Sequence, residues 1–125
     1  MHTLIRAFVA LFALLFLLSG LGWIFAPSVA ASFLGMSMME GLGLSSLIGD
    51  VGAFFWGVGA MMVLGLKTRK TIWYQASAIF VGFAAVLRAL AWAVHGAPFA
   101  LEQIIIEVLI VTTLLFAASR LPEKA

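Results

Sequence analysis

A helix needs about 20 predominantly apolar residues to cross the hydrocarbon layer of a bilayer, and four stretches of this chain meet or approach that length. They run over residues 4–26, 47–66, 71–94 and 102–119. The first carries only Arg6, near its start. Together the four take up most of the 125 residues, which leaves no room among them for a soluble domain of useful size. The expected architecture is a single transmembrane domain over residues 1–125, an all-α, integral-membrane four-helix bundle. Composition excludes the alternatives: 65% of the residues are apolar and 10% charged, against roughly half and a quarter in a soluble domain. One core of this size cannot hide so much apolar surface from water. The same numbers exclude a disordered tail and a nucleic-acid binder working through a basic surface. With no cysteine, disulfides, thiolate catalysis and Cys-based zinc or iron–sulfur sites are excluded as well.

The connections between spans differ in character. Residues 67–70, Lys-Thr-Arg-Lys, are a tight polar turn, and residues 95–101 form a short link whose Gly96-Ala97-Pro98 stops one helix before the next begins. The link from Pro27 to Ser46 is longer and still apolar. Val29, Phe33 and Met36 have helical spacing there, which predicts a short helix lying at the membrane interface in the first outer loop. Gly41, Gly43 and Ser45–Ser46 follow as a flexible approach, with a serine available to cap the second span.

Six of the seven basic residues, Arg6, Lys67, Arg69, Lys70, Arg120 and Lys124, fall on one side if the spans alternate, and the two opposite loops contain no Lys or Arg. By the positive-inside rule both termini are cytoplasmic. Trp23 and Trp92 are expected at the outer boundary and Trp73–Tyr74 at the inner one, as aromatic belts. A signal-peptide reading of the N-terminus, with Ser28-Val29-Ala30 as cleavage site, competes with a retained first span. The apolar stretch to Ala26 exceeds a usual signal core of about 7–15 residues, so the retained helix is favoured.

Three ionisable residues lie within the spans: Asp50, Arg88 and Glu107. At 1.5 Å per residue all three fall roughly 5–9 Å below the outer boundary. A charge at mid-membrane costs at least about 2.5–3.5 kcal/mol on insertion scales, so unpaired exposure to lipid is disfavoured. The simplest arrangement turns all three inward, with the forked guanidinium of Arg88 bridging Asp50 and Glu107. One negative charge is then in surplus. Either one carboxylate carries a proton or another cation joins, and His95, seven residues after Arg88 on the same helical face, is the internal candidate. Gln103, one turn before Glu107, adds hydrogen-bonding capacity. Such a cluster either fixes helix partners and register or binds a ligand or handles protons, the default reading for intramembrane charge.

Gly49, Gly52, Ala53, Gly57 and Ala60 on the second span, and Ala85, Ala89 and Ala93 on the third, are small-residue surfaces of the kind that pack helices closely. Met36, Met38 and Met39 carry thioethers able to hold Cu(I), but methionine is also a common filler of apolar surfaces and that reading is favoured; no metal site is expected. Met61–Met62 are expected to pack, and Thr112 and Thr113 to bond their own helix backbone. There is no phosphate-binding loop, no His-Glu-x-x-His, no nucleophile elbow and no arginine-rich voltage sensor. Nothing in the residues therefore assigns an enzyme, and four spans without a broken helix or internal repeat make a poor conventional transporter.

The stretch Gly49-Asp50-Val51-Gly52-Ala53-Phe54-Phe55, the Arg88 to His95-Gly96 segment, Glu107, and Pro27 and Gly35 after the first span resemble the small bacterial four-helix membrane proteins of the DoxX-like superfamily. More narrowly they resemble a branch described only as a domain of unknown function. The resemblance covers nearly the whole chain on short motifs. It implies a compact four-helix bundle in the bacterial inner membrane with both termini inside. DoxX itself is similar to a subunit of a thiosulfate:quinone oxidoreductase, and distant relatives act as membrane assembly factors. Neither role transfers, because no redox cofactor motif can be matched here, and no cofactor is assigned.

The leading functional expectation is a multi-pass protein binding a small lipophilic or amphipathic molecule, quinone- or lipid-like. Its polar head would meet Asp50, Arg88 and Glu107, with His95 and Gln103 beside them and Trp56, Phe54 and Trp92 lining the cavity. The alternative is an accessory or assembly subunit of a larger membrane complex, with the charges purely structural. A strip of glycine and alanine left exposed to lipid after the bundle forms would favour that alternative. A third idea is proton-coupled movement of a small solute through the spare carboxylate. The partners expected are therefore the bilayer, a lipophilic small molecule, and a membrane protein or further copies of this chain, but no nucleic acid.

Overall fold

Uninterrupted apolar sequence in a non-aqueous setting must satisfy its backbone internally, and a helix does so within one segment. The computed structural model describes residues 1–124. It forms five helices: α1 (His2–Phe25), α2 (Pro27–Phe33), α3 (Leu42–Thr68), α4 (Thr71–His95) and α5 (Leu101–Arg120). Four of them, α1, α3, α4 and α5, are long and apolar enough to cross a membrane. There is no strand among the described residues.

The four long helices pack in a ring, α1 against α3 and α5, and α4 against the same two. Each contributes one inward stripe at helical spacing. On α1 the stripe is Ile5, Val9, Ala13, Phe16, Gly20 and Trp23; on α5 it is Glu107, Ile110, Leu114 and Ala117. Phe16 meets Phe54 and Phe55 of α3 at ring-centroid distances of 6.0 and 5.3 Å, in tilted arrangements favoured by ring quadrupoles. Around this core, large apolar side chains on every long helix face outward, among them Leu11, Leu14, Phe83, Leu87 and Leu109. In water such a surface would aggregate; in hydrocarbon it is the appropriate coat.

Three glycines seat large side chains between helices. A Cβ on Gly59 would lie 2.9 Å from Leu17, one on Gly65 2.7 Å from the Tyr74 ring, and one on Gly20 2.8 Å from the Trp56 indole. These positions, rather than Gly49 or Gly57, set how closely α3 approaches its neighbours. The ends are tied as well. The Lys124 amide donates to the Arg69 carbonyl at 2.9 Å, and the Thr71 hydroxyl donates to Glu123 Oε2 at 3.2 Å. Both chain ends and the α3–α4 turn therefore share one end of the bundle, called the terminal end below; α2 and the α4–α5 link lie at the opposite, loop end.

Arg69 ends α3 in the left-handed conformation, φ 57°, with its amide donating to the Gly65 carbonyl at 2.9 Å. That conformation costs an L-residue roughly 1–2 kcal/mol and glycine little. Arg69→Gly is therefore expected to raise stability by about 0.5–1 kcal/mol, read as a higher thermal midpoint in detergent. An unchanged or lower midpoint would show that the arginine side chain offsets its backbone strain.

The second span begins earlier than its hydropathy suggested, at Leu42 instead of residue 47, because Gly41 (φ 61°) turns the chain directly into helix. Ser45 and Ser46 lie inside that first segment and make no cap bond. The next turn, Leu47–Val51, is a π-helical turn before regular helix resumes at Gly52. A helix was expected near Val29 to Met36 and forms over Pro27–Phe33, where Pro27 opens the first turn. It folds back on α1 and buries Ala31 against Trp23 and Leu47 in a small core at the loop end. Trp23 is only 1% exposed, and Tyr74 is buried too, so neither sits in an aromatic belt as anticipated.

Candidate functional site

Arg88 of α4 and Glu107 of α5 form a salt bridge, Nε donating to Oε1 at 3.0 Å and Oε2 at 3.1 Å. Helix geometry explains how they meet. Arg88 lies about 26 Å along α4 from Thr71, while Glu107 lies about 20 Å along α5 from Arg120. Side chains lean toward the N-terminus of their own helix. On these antiparallel helices Arg88 therefore leans toward the terminal end and Glu107 toward the loop end, which closes the offset. Glu107 is 8% exposed, whereas the Arg88 side chain is 31% exposed. Arg88 spends only Nε on the carboxylate; among the described residues its two terminal guanidinium nitrogens make no hydrogen bond. Among the described residues no buried side-chain polar atom lacks a partner, so those nitrogens remain reachable.

Asp50 does not join the pair. Its distance from the end of α3, about 27 Å above Thr68, matches the depth of Arg88, as its position in the sequence suggested. The difference is azimuth. At 3.6 residues per turn, Gly52, Val58, Gly59, Met62 and Gly65 face the core, and Asp50, Ala53, Gly57 and Ala60 face away from it. The π turn that contains Asp50 also offsets the register of the helix on either side of it. The three-residue bridge is thus replaced by a closed one-to-one pair and an outward-facing carboxylate. Asp50 opens into a groove of about 420 Å³ between α3 and α4, lined by Gly49, Ala53, Phe54, Gly57, Met61 and Phe80 among others.

The remaining expected site residues scatter. His95 is exposed at the end of α4, and Trp92, on the preceding turn, stacks edge-on against Phe99 with ring centroids 5.1 Å apart. Both share Arg88's helical face but are exposed at the loop end of α4. Gln103 is half-buried without a side-chain hydrogen bond among the described residues. Trp56 rests on Gly20 of α1, and Phe54 lines the Asp50 groove. Met36, Met38 and Met39 are exposed in the connection after α2. Thr112 and Thr113 donate to the carbonyls of Val108 and Leu109, as expected.

A second, larger groove of about 670 Å³ lies in the seam beneath α2. One face of α1 (Leu15, Leu18, Ser19, Gly22 and Trp23) with Ala26 after it lines one side, Val29, Ala30 and Phe33 of α2 another, and Phe55 and Ile106 complete the wall. The only side-chain hydroxyl in it, that of Ser19, already donates to the Leu15 carbonyl at 2.9 Å. Ile106 directly precedes Glu107, so the groove wall and the ion pair share one turn of α5. Sequence reading missed this groove. Its one signal was the run of small residues Ser19, Gly22, Ala26 and Ala30 at three- and four-residue spacing.

The fold and site together define a bundle of four membrane-length helices with a part-buried ion pair and two grooves. Compared with protein-family models, curated proteins and solved structures, the chain matches none.

Proposed function

We propose that this protein binds a lipophilic or amphipathic molecule, quinone- or lipid-like, with its apolar body in the groove beneath α2. The observation that carries the reading is that groove: about 670 Å³, half-enclosed, with apolar walls and its one hydroxyl satisfied within its own helix. Ligand sites typically run to roughly 300–1,000 Å³ and combine apolar walls with a few oriented polar groups. Arg88 supports the same reading, since Glu107 holds it by Nε while its terminal nitrogens stay free to donate to a polar head. The same proposal puts the protein in a bacterial inner membrane with both termini cytoplasmic. Support comes from Arg6, Lys67, Arg69, Lys70, Arg120 and Lys124 at the terminal end and from the absence of Lys or Arg in the opposite connections. Kinship with the DoxX-like proteins belongs to the same proposal, supported by the four long apolar helices that the resemblance implies.

Native mass spectrometry of gently extracted protein tests the binding role. The wild-type chain is expected to carry a discrete non-protein mass that Ser19→Phe, which fills the groove, does not carry. A thermal midpoint for that variant close to wild type shows that the fold survives. An empty wild-type mass, or an unchanged load in a folded Ser19→Phe, would sink the proposal.

A second reading, an accessory or assembly subunit, is favoured by one observation. Gly49, Ala53, Gly57 and Ala60 remain exposed on α3 after the bundle has formed. A Cβ on Gly49 or Gly57 would meet nothing within 4 Å.

A further inference from the structure

The exposed face of α3 combines two features that a lipid-facing helix has no use for. The first is its small-residue surface, which lets another backbone approach closely. That capacity is not spent inside this chain, because α3 uses other glycines, Gly59 and Gly65, against α1 and α4. The second is Asp50, whose carboxylate opens into the groove on the same face and has no salt bridge or hydrogen bond among the described residues. Counting up from Lys67, about 20 residues of hydrocarbon-spanning helix end near Leu47, which leaves Asp50 roughly 5 Å inside the apolar layer. A carboxylate there is costly unless a counter-charge covers it.

Building on the accessory-subunit reading, we propose that the α3 face docks a transmembrane helix of a different protein, one that carries a Lys or Arg opposite Asp50. Charge decides between that occupant and a second copy of this chain. Two parallel copies related by an axis along the membrane normal would bring two Asp50 carboxylates to the same depth beside the shared face, a like-charge arrangement. This chain also has no further Lys or Arg to place there, and His95 stands about 10 Å beyond Arg88 toward the loop end. Arg88 is the one Lys or Arg at that depth, and its charge is already balanced by Glu107. The other six lie at the terminal end, about 27 Å away along α3. The counter-charge therefore comes from a different sequence. Its helix needs small residues of its own at four-residue spacing, so that its axis can approach the Gly49–Ala53–Gly57 surface and bring the cation's stem along the groove by Phe54 and Phe80.

The test uses full-length protein in phosphatidylcholine vesicles and two synthetic transmembrane peptides. Each is a Leu helix with a Gly-xxx-Ala-xxx-Gly stripe; one carries a Lys at the depth of Asp50, the other a Leu. Association is read by energy transfer between labels on protein and peptide. The wild-type chain is expected to bind the Lys peptide roughly tenfold more tightly than the Leu peptide, the scale of one charge-assisted hydrogen bond. Asp50→Asn is expected to lose that preference, and Gly57→Leu to lose both peptides. Neither substitution touches the core, since Asp50 and Gly57 face away from it. Equal binding of the two peptides by wild type, or an undiminished preference in Asp50→Asn, overturns the proposed counter-charge. So does a homodimer that excludes both peptides and persists in Asp50→Asn. If Gly57→Leu also binds like wild type, the accessory reading fails with it; if Gly57→Leu alone is impaired, docking on the stripe stands and only the charge requirement falls.

Discussion

Glu107→Leu is expected to destabilise the bundle by about 2–3 kcal/mol, less than the cost of breaking a wholly buried pair because the Arg88 side chain is 31% exposed. Arg88 would be stranded among α4 and α5 side chains, with its Nε bond gone and only a partial route to solvent. Arg88→Leu is expected to cost a comparable amount by stranding Glu107, the more deeply buried of the two. The double variant, Arg88→Leu with Glu107→Leu, is expected to recover most of either loss, because an apolar pair of similar volume needs no counter-charge. Thermal denaturation in a fixed detergent measures all four proteins of this cycle. Single variants that each cost under about 1 kcal/mol would show that the pair is solvated. A double variant as unstable as the singles would assign the loss to packing instead. The same double variant bears on function: a protein that regains its stability but not its bound molecule places the polar head at Arg88.

Trp23→Ala is the second large expected loss, about 3–5 kcal/mol for emptying a buried aromatic site. Trp23 is 1% exposed and forms the loop-end core with Ala31 and Leu47, so it holds α2 to α1 and to the start of α3 at once. Gly52, whose Cβ would lie 3.4 Å from the Trp23 side chain, is part of the same seat. The loss is expected to be local in character. Amide exchange should accelerate over α2 and the first turns of α3 more than over the terminal end, where the Thr71–Glu123 and Lys124–Arg69 bonds are untouched. Uniform acceleration along all four long helices would contradict a separate loop-end unit. Because Trp23 also lines the groove, the variant should lose bound lipophile as well.

Gly20 and Gly65 show what a one-dimensional reading leaves out. Both are plain glycines in apolar helices, and nothing in their neighbours along the chain says that Trp56 and Tyr74 sit on them. Small residues at regular spacing, such as Gly49, Ala53 and Gly57, advertise packing more loudly, yet they are the ones left outside. Spacing reports that a face is smooth. It does not report which neighbour, if any, the finished bundle turns toward that face.

Four spans, their approximate limits and the gathering of basic residues at one end of the bundle follow from length, hydropathy and charge order, which are local properties of the chain. So does the shared depth of Asp50, Arg88 and Glu107, from which a bridge of Arg88 to both carboxylates was expected, since depth along a helix is residue count multiplied by rise. Tertiary structure decided which carboxylate. Glu107 sits on the inward stripe of α5 together with Ile110 and Leu114, while the π turn and the rotation of α3 carry Asp50 outward. The burial of Trp23 and the groove beneath α2 were decided the same way, by α2 folding back onto α1. Rotation of each helix about its axis depends on how all the side chains interlock at once. A sequence therefore sets how deep a residue lies, and only the packed bundle sets what it faces.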